Sequence, residues 1–108
     1  MKNLTLKQIT RLVLKQASSK GFGTKPEEIN VAEKIALIHS EISEAYIAYR
    51  RKNLTGKAGL AEELGDSVQR ILHLAGVLKI DLEKEILKKI KSNKSRNWDW
   101  QNLNETHA

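Results

Sequence analysis

Apolar residues recur at three-and-four spacing in four stretches of the chain, and polar, glycine-bearing segments separate them. This spacing predicts amphipathic helices. The first begins near Thr5, where Thr5 and Gln8 fit a capping box, and carries Leu6, Ile9, Leu12, Val13 and Ala17. Gly21 stands where a left-handed residue closes a helix. The second begins near Asn30, with Glu33 three residues on. Its apolar set is Val31, Ile35, Ile38, Ile42, Ala45, Tyr46 and Tyr49. It ends in Arg50, Arg51 and Lys52, cations suited to the negative end of a helix dipole. Residues 53–59 form a polar link. The third runs from about Leu60 to Lys79, with Leu60, Leu64, Val68, Ile71, Leu72, Ala75 and Leu78 on its apolar side. Gly65 and Gly76 each cost about 1 kcal/mol against alanine in a helix interior, which predicts close helix–helix approach. Asp81 caps the fourth, which carries Leu82, Ile86 and Ile90 on one face. The β signals are weak. The expectation is an all-α fold, a four-to-five-helix antiparallel bundle in a single domain over 1–108, with a polar, frayed tail from about residue 101.

Length and composition narrow the picture. The 108 residues suffice for one domain and argue against two. A chain this short buries only roughly 65% of its unfolded surface, so oligomerisation is expected to complete the bundle. Nineteen Lys and Arg against thirteen Asp and Glu give a net charge of +6, which suits an anionic partner. The absence of cysteine excludes disulfide scaffolds, thiolate zinc sites, iron–sulfur clusters and cysteine nucleophiles. Residues 1–16 contain Lys2, Lys7, Arg11 and Lys15 at intervals and so form no signal-peptide core. Apolar runs fall far short of the ~20 residues a membrane span needs. A cytoplasmic protein without membrane attachment is expected.

Two pairs of carboxylates break the amphipathic rule that keeps charge off the apolar stripe. At ~100° per residue, Glu41 falls inside the apolar arc of the second helix, among Leu37, Ile38, Ala45 and Ala48. Glu44, three residues on, lies at the arc's edge. Glu63 and Asp66 repeat the arrangement on the third helix, and Arg70 and His73 continue their stripe; Glu62 points well away. If the two helices pack by these faces, four carboxylates converge and repel one another. Hard divalent cations held by oxygen ligands offset such charge, with Mg²⁺ the natural choice and Mn²⁺ a substitute. The structural alternative is an i,i+4 ion pair between Arg70 and Asp66 that neutralises the cluster without metal.

The fourth helix supplies the complement. Lys89, Asn93 and Arg96 follow at spacings of four and three and share one face, whereas Lys84, Lys88 and Lys91 point elsewhere. A point charge, an amide and a planar fork in line suit a polyphosphate. A basic helix end favoured by the dipole is the plainer reading of Lys89 alone.

Taken together, these residues resemble the MazG-like, all-α nucleoside triphosphate pyrophosphohydrolases. Glu41-x-x-Glu44, eighteen intervening residues, then Glu63-x-x-Asp66 is similar to that family's signature. LIHSEISEAYIAYR from Leu37 to Arg50 and LAEELGDSVQRILHLAG from Leu60 to Gly76 resemble its two metal-binding helices. KIKSNKSR from Lys89 to Arg96 is similar to the Lys-x-x-x-Asn-x-x-Arg stretch that often follows, and Gly21-Phe22 also fits. The likeness covers roughly residues 6–98. It implies a dimer or tetramer that hydrolyses a nucleoside triphosphate to monophosphate and pyrophosphate with Mg²⁺, a reaction used in nucleotide-pool house-cleaning. It also implies Glu41, Glu44, Glu63 and Asp66 as metal ligands and Lys89, Asn93 and Arg96 as phosphate contacts. Some members carry an acidic base just before the first motif glutamate, where this chain has Ser40, so the base is open among the cluster carboxylates and Glu33. Phe22, Tyr46, Tyr49 and Trp98 are the candidates for stacking on a nucleobase.

Three other readings compete. A basic helical nucleic-acid-binding module explains the +6 charge but leaves inward carboxylates against a phosphate face. A ferritin-like di-iron bundle needs Glu-x-x-His pairs, and His39 and His73 do not supply them. A helical oligomerisation module without catalysis predicts indifference to Mg²⁺.

Overall fold

Four helices follow one another in the computed structural model, which describes residues 3–95. They are α1 (Leu6–Ser19), α2 (Val31–Arg50), α3 (Leu60–Val77) and α4 (Leu82–Lys94), with a short 3₁₀ turn at Pro26–Glu28 before α2. No strand occurs among the described residues. The all-α expectation holds, and the three predicted caps, at Thr5, Asn30 and Asp81, all form. Thr5 Oγ1 accepts from Gln8 N while Thr5 N donates to Gln8 Oε1, closing the capping box. Asn30 accepts from Glu33 N, and Asp81 from Lys84 N. The proposed polar tail lies outside the described residues, as do Arg96, Trp98 and Trp100.

Three of the helices end in the same way. Gly21, Lys52 and Lys79 take left-handed φ values of 79°, 57° and 58°, two residues beyond the ends of α1, α2 and α3. The next residue then donates back into the last turn: Phe22 N to Ala17 O, Asn53 N to Ala48 O, and Ile80 N to Ala75 O. This is the Schellman closure, which satisfies carbonyls that a helix end otherwise leaves unpaired. Glycine adopts that conformation without a Cβ clash, as at Gly21; the two lysines adopt it with one.

The helix directions follow from their cross-links. Leu60 N donates to Asn53 O and Ala61 N to Leu54 O, so the start of α3 sits beside the end of α2 and the two run antiparallel. An added Cβ at Gly76 would meet Leu14 and Thr10 at 2.8–3.0 Å, so α1 and α3 approach closely there, as the glycine predicts. The end of α1 meets mid-α3, where His73 Nε2 donates to Gly23 O at 2.7 Å. Leu6 N donates to Glu83 Oε1, and Lys7 pairs with Asp81 at 3.1 Å, so the start of α4 lies against the start of α1. Gly65 behaves differently from Gly76: a Cβ there meets nothing within 4 Å, so no close approach among the described residues explains it.

The core is small. Its buried members are Ala17, Ala45, Ala48, Ser67, Leu72, Ala75 and Val77. Ser67 is satisfied locally, its Oγ donating to Glu63 O. Much of the expected apolar set is instead exposed: Leu12, Val31, Ile35, Ile42, Tyr46 and Tyr49, Leu64 and Val68, and Ile86 and Ile90. Alanines at 45 and 48 let α2 meet α3 along a narrow stripe, and the bulkier apolar stripe beside it is left uncovered in the single chain. No described helix is long and apolar enough to cross a membrane.

Candidate metal centre

The stripe that buries Ala45 and Ala48 also carries Glu41, at i−4 and i−7 from them. On α3, Glu63 is four residues before buried Ser67. Packing the two stripes together turns Glu41 and Glu63 towards each other from opposite helices. Carboxylate oxygens of Glu41, Glu63 and Asp66 lie within 4.8 Å of one another. Glu41 and Glu63 are half-buried; Asp66, one step outward, is exposed. Glu44 is exposed and is not part of that close group, but its charge reaches Glu63. Glu62 is exposed, on the outward side.

Crowding has an electrostatic consequence. Desolvation, a hydrogen bond with Glu41 and the charges of Glu41, Asp66 and Glu44 all raise the Glu63 carboxyl above its ordinary pKa. Each cause disfavours the ionised form. Oxygen donors alone, converging from two helices and short of positive charge, fit a hard divalent cation such as Mg²⁺ or Mn²⁺.

One cation is already present. Arg70 Nε donates to Glu41 Oε1 at 2.9 Å, across from α3 to α2. The anticipated Arg70–Asp66 pair is not among the ion pairs of the described residues. The half-buried Glu41 lies on the face that α3 meets and takes the guanidinium, while Asp66 is exposed.

A cavity of ≈ 560 Å³ opens beside the cluster, between the end of α1, Phe22 and the α2–α3 pair. Glu41, Asp66 and Arg70 form one part of its wall. Lys20, Lys34, Gln16, Gln69, His73 and the exposed ring of Phe22 form much of the rest. The Schellman closure of α1 and the His73–Gly23 bond hold the Phe22 segment in place. The cavity joins an acidic corner, three cations, amides and an aromatic face. Such a lining offers carboxylate oxygens to a cation, positive charge to an anion and a ring face for stacking.

Not every candidate converges here. Lys89 is exposed on α4, Asn93 is half-buried there, and neither lines this cavity; Arg96 lies outside the described residues. Glu33 is exposed in the first turn of α2 and does not line it either. Tyr46 and Tyr49 point to the uncovered stripe instead. Sequence reasoning passed over Lys20 and Lys34. Lys34 had a signal, since it lies seven residues before Glu41 on the same inward stripe. Lys20 had none, because only the folding of α1 onto α3 brings it there. Comparisons with family models, with curated proteins and with solved structures found no significant match.

Proposed function

We propose that this chain is a Mg²⁺-dependent nucleoside triphosphate pyrophosphohydrolase of the MazG-like kind, releasing monophosphate and pyrophosphate. The observation that carries the reading is the convergence of Glu41, Glu63 and Asp66 within 4.8 Å, with Glu41 and Asp66 in the wall of a cavity that Lys20, Lys34 and Phe22 also line. Glu41, Glu63 and Asp66 hold Mg²⁺, with Glu44 as the neighbouring fourth carboxylate. When bound there, Mg²⁺ would supply neutralisation of phosphoryl charge and activation of water. Lys20 and Lys34 attract and orient the phosphate chain, and Phe22 offers its face to the base. A carboxylate of the cluster takes the proton of the attacking water. Lys89, Asn93 and Arg96 belong to the same reading only as phosphate contacts away from this cavity wall.

Self-association belongs to this reading too. Ile35, Ile42, Tyr46 and Tyr49 on α2 and Leu64 and Val68 on α3 are exposed apolar side chains on the pair that builds the site. A second copy covers them in a homodimer, or two such pairs in a homotetramer, as large uncovered apolar patches favour.

Turnover of a panel of ribo- and deoxyribonucleoside triphosphates with Mg²⁺ and with Mn²⁺, products resolved by chromatography, tests the reaction. Monophosphate and pyrophosphate in equal amounts from any member are expected. No turnover with either metal across the panel would overturn the reading and favour a nucleic-acid-binding or oligomerisation module.

A further inference from the structure

Arg70 occupies an unusual place. It stands four residues after Asp66 and seven after Glu63 on α3, lines the cavity, and makes the only ion pair between α2 and α3 among the described residues. Its partner, Glu41, is one of the three carboxylates that converge. The contact is a single bond through Nε, not the two-pronged engagement that makes arginine–carboxylate pairs strong. The arginine side chain is 41% exposed while that of Glu41 is 18% exposed, so the cation sits on the solvent side of the pair.

We propose, building on the hydrolase reading, that Arg70 is a resident counter-ion which a divalent cation displaces from Glu41, freeing the guanidinium to bind a phosphate of the nucleotide in the adjoining cavity.

Three physical points support it. A carboxylate cluster at the edge of a core needs compensating charge before any metal arrives, and Arg70 supplies it. A divalent cation bound to Glu41 repels a guanidinium on the same carboxylate, and one part-exposed bond gives way at small cost. The displaced group has somewhere to go, since Arg70 already lines the cavity beside Lys34 and Gln69. Metal binding would thereby convert an internal ion pair into a substrate contact, and metal and nucleotide would each favour the other's binding.

The opposite role is also physically defined: an arginine that orients Glu41 for the metal would strengthen metal binding. The two roles differ in sign. Mn²⁺ titration of the full chain without nucleotide, by calorimetry or by loss of the free Mn²⁺ paramagnetic resonance signal, separates them. Arg70→Met and Arg70→Gln are expected to bind Mn²⁺ roughly 3- to 10-fold more tightly than the natural chain. The same variants are expected to bind a non-hydrolysable nucleoside triphosphate analogue with Mg²⁺ roughly 10-fold more weakly, with Arg70→Lys in between. Unchanged or weaker Mn²⁺ binding in both variants would overturn the proposal, as would unchanged analogue binding. Helical circular dichroism confirms that each variant is folded, and the two replacements guard against a fault in either. The outcome is separable from that of the hydrolase reading. Tighter Mn²⁺ binding and weaker analogue binding in a protein that hydrolyses no nucleotide would uphold Arg70 as counter-ion and overturn the activity.

Discussion

The α2–α3 pair and α4 both carry charge along one helix face, but they are anchored in opposite ways. In the pair, the charged residues share a stripe with buried alanines and a buried serine, so close packing itself drives Glu41 and Glu63 together. On α4 no described residue is buried, and the hydrogen bond and ion pair that tie it to α1 among the described residues lie at its start: Asp81 with Lys7, and Glu83 with Leu6 N. Lys89 is exposed on α4, and neither Lys89 nor Asn93 lines the cavity beside the α2–α3 pair. A charged pattern becomes a site where burial fixes its direction, and stays a surface pattern where it does not.

The largest expected effect breaks the pair's chemistry. Glu41→Gln and Asp66→Asn each remove a ligand charge, and turnover is expected to fall at least about 10²–10³-fold in kcat. Far-ultraviolet circular dichroism is expected to stay unchanged, because neither residue is fully buried and each amide keeps the size of the side chain it replaces. Retained activity in both variants would detach the cluster from the reaction. Lys89→Ala, on the other side of the comparison, is expected to lower turnover far less than either, since Lys89 does not line the cavity.

Packing is next. Leu72, among the most deeply buried side chains, is expected to cost about 2–5 kcal/mol when cut to alanine. Ile90, more than half exposed on α4, is expected to cost under about 0.5 kcal/mol in the isolated chain. Urea unfolding at several protein concentrations measures both. A large, concentration-dependent loss for Ile90→Ala would show that a second copy covers α4, and would move α4 into the anchored class.

Much of this contrast was open to sequence reasoning, and the reasons for the gaps are local. Caps at Thr5, Asn30 and Asp81 were legible because they depend on residues three apart. Glu41 and Glu63 were legible because helical periodicity places them inside the apolar arc. The partner of Arg70 was not, because an i,i+4 rule sees only its own helix, and Glu41 comes from the neighbouring one. Nor was the split between buried alanines and exposed Ile35, Ile42 and Tyr46, since both sets lie on one broad apolar side. Which part of that side meets α3 is a matter of helix rotation, which the pattern leaves open. The cavity wall from Lys20 and Phe22 required the tertiary return of α1 onto α3.

A pH series isolates the cost of the cluster. The Glu63 carboxyl is raised in the folded chain, so folding retains a proton that the unfolded chain gives up. The resulting stabilisation is complete below the ordinary glutamate pKa and is lost as pH rises through the raised folded value. At neutral pH without metal, Glu63→Gln is therefore expected to melt above the natural chain, the difference shrinking towards acid. Mg²⁺ is expected to raise the melting temperature of the natural chain and to do little for the variant. Asp81 has the opposite sign: a hydrogen bond from Lys84 N and the Lys7 contact lower its pKa, so its contribution fades as pH falls through that lowered value. Thermal melts with and without EDTA across this range separate the two residues.

The smallest expected effects come from two glycines on one helix. At Gly76 an alanine Cβ would press on Leu14 and Thr10, so crowding opposes the gain in helix propensity of about 1 kcal/mol and the net change is a loss. At Gly65 the Cβ meets nothing within 4 Å, and alanine is expected to stabilise the isolated chain by up to about that same amount. Gly65 adjoins exposed Leu64 and the cluster residue Asp66, which makes the sign of its effect informative. A stabilised Gly65→Ala chain that stays fully self-associated places this side of α3 in open solvent. A loss of stability that grows with protein concentration places a second copy against it, and the unpartnered apolar stripe of α2 and α3 is then the surface that copy uses.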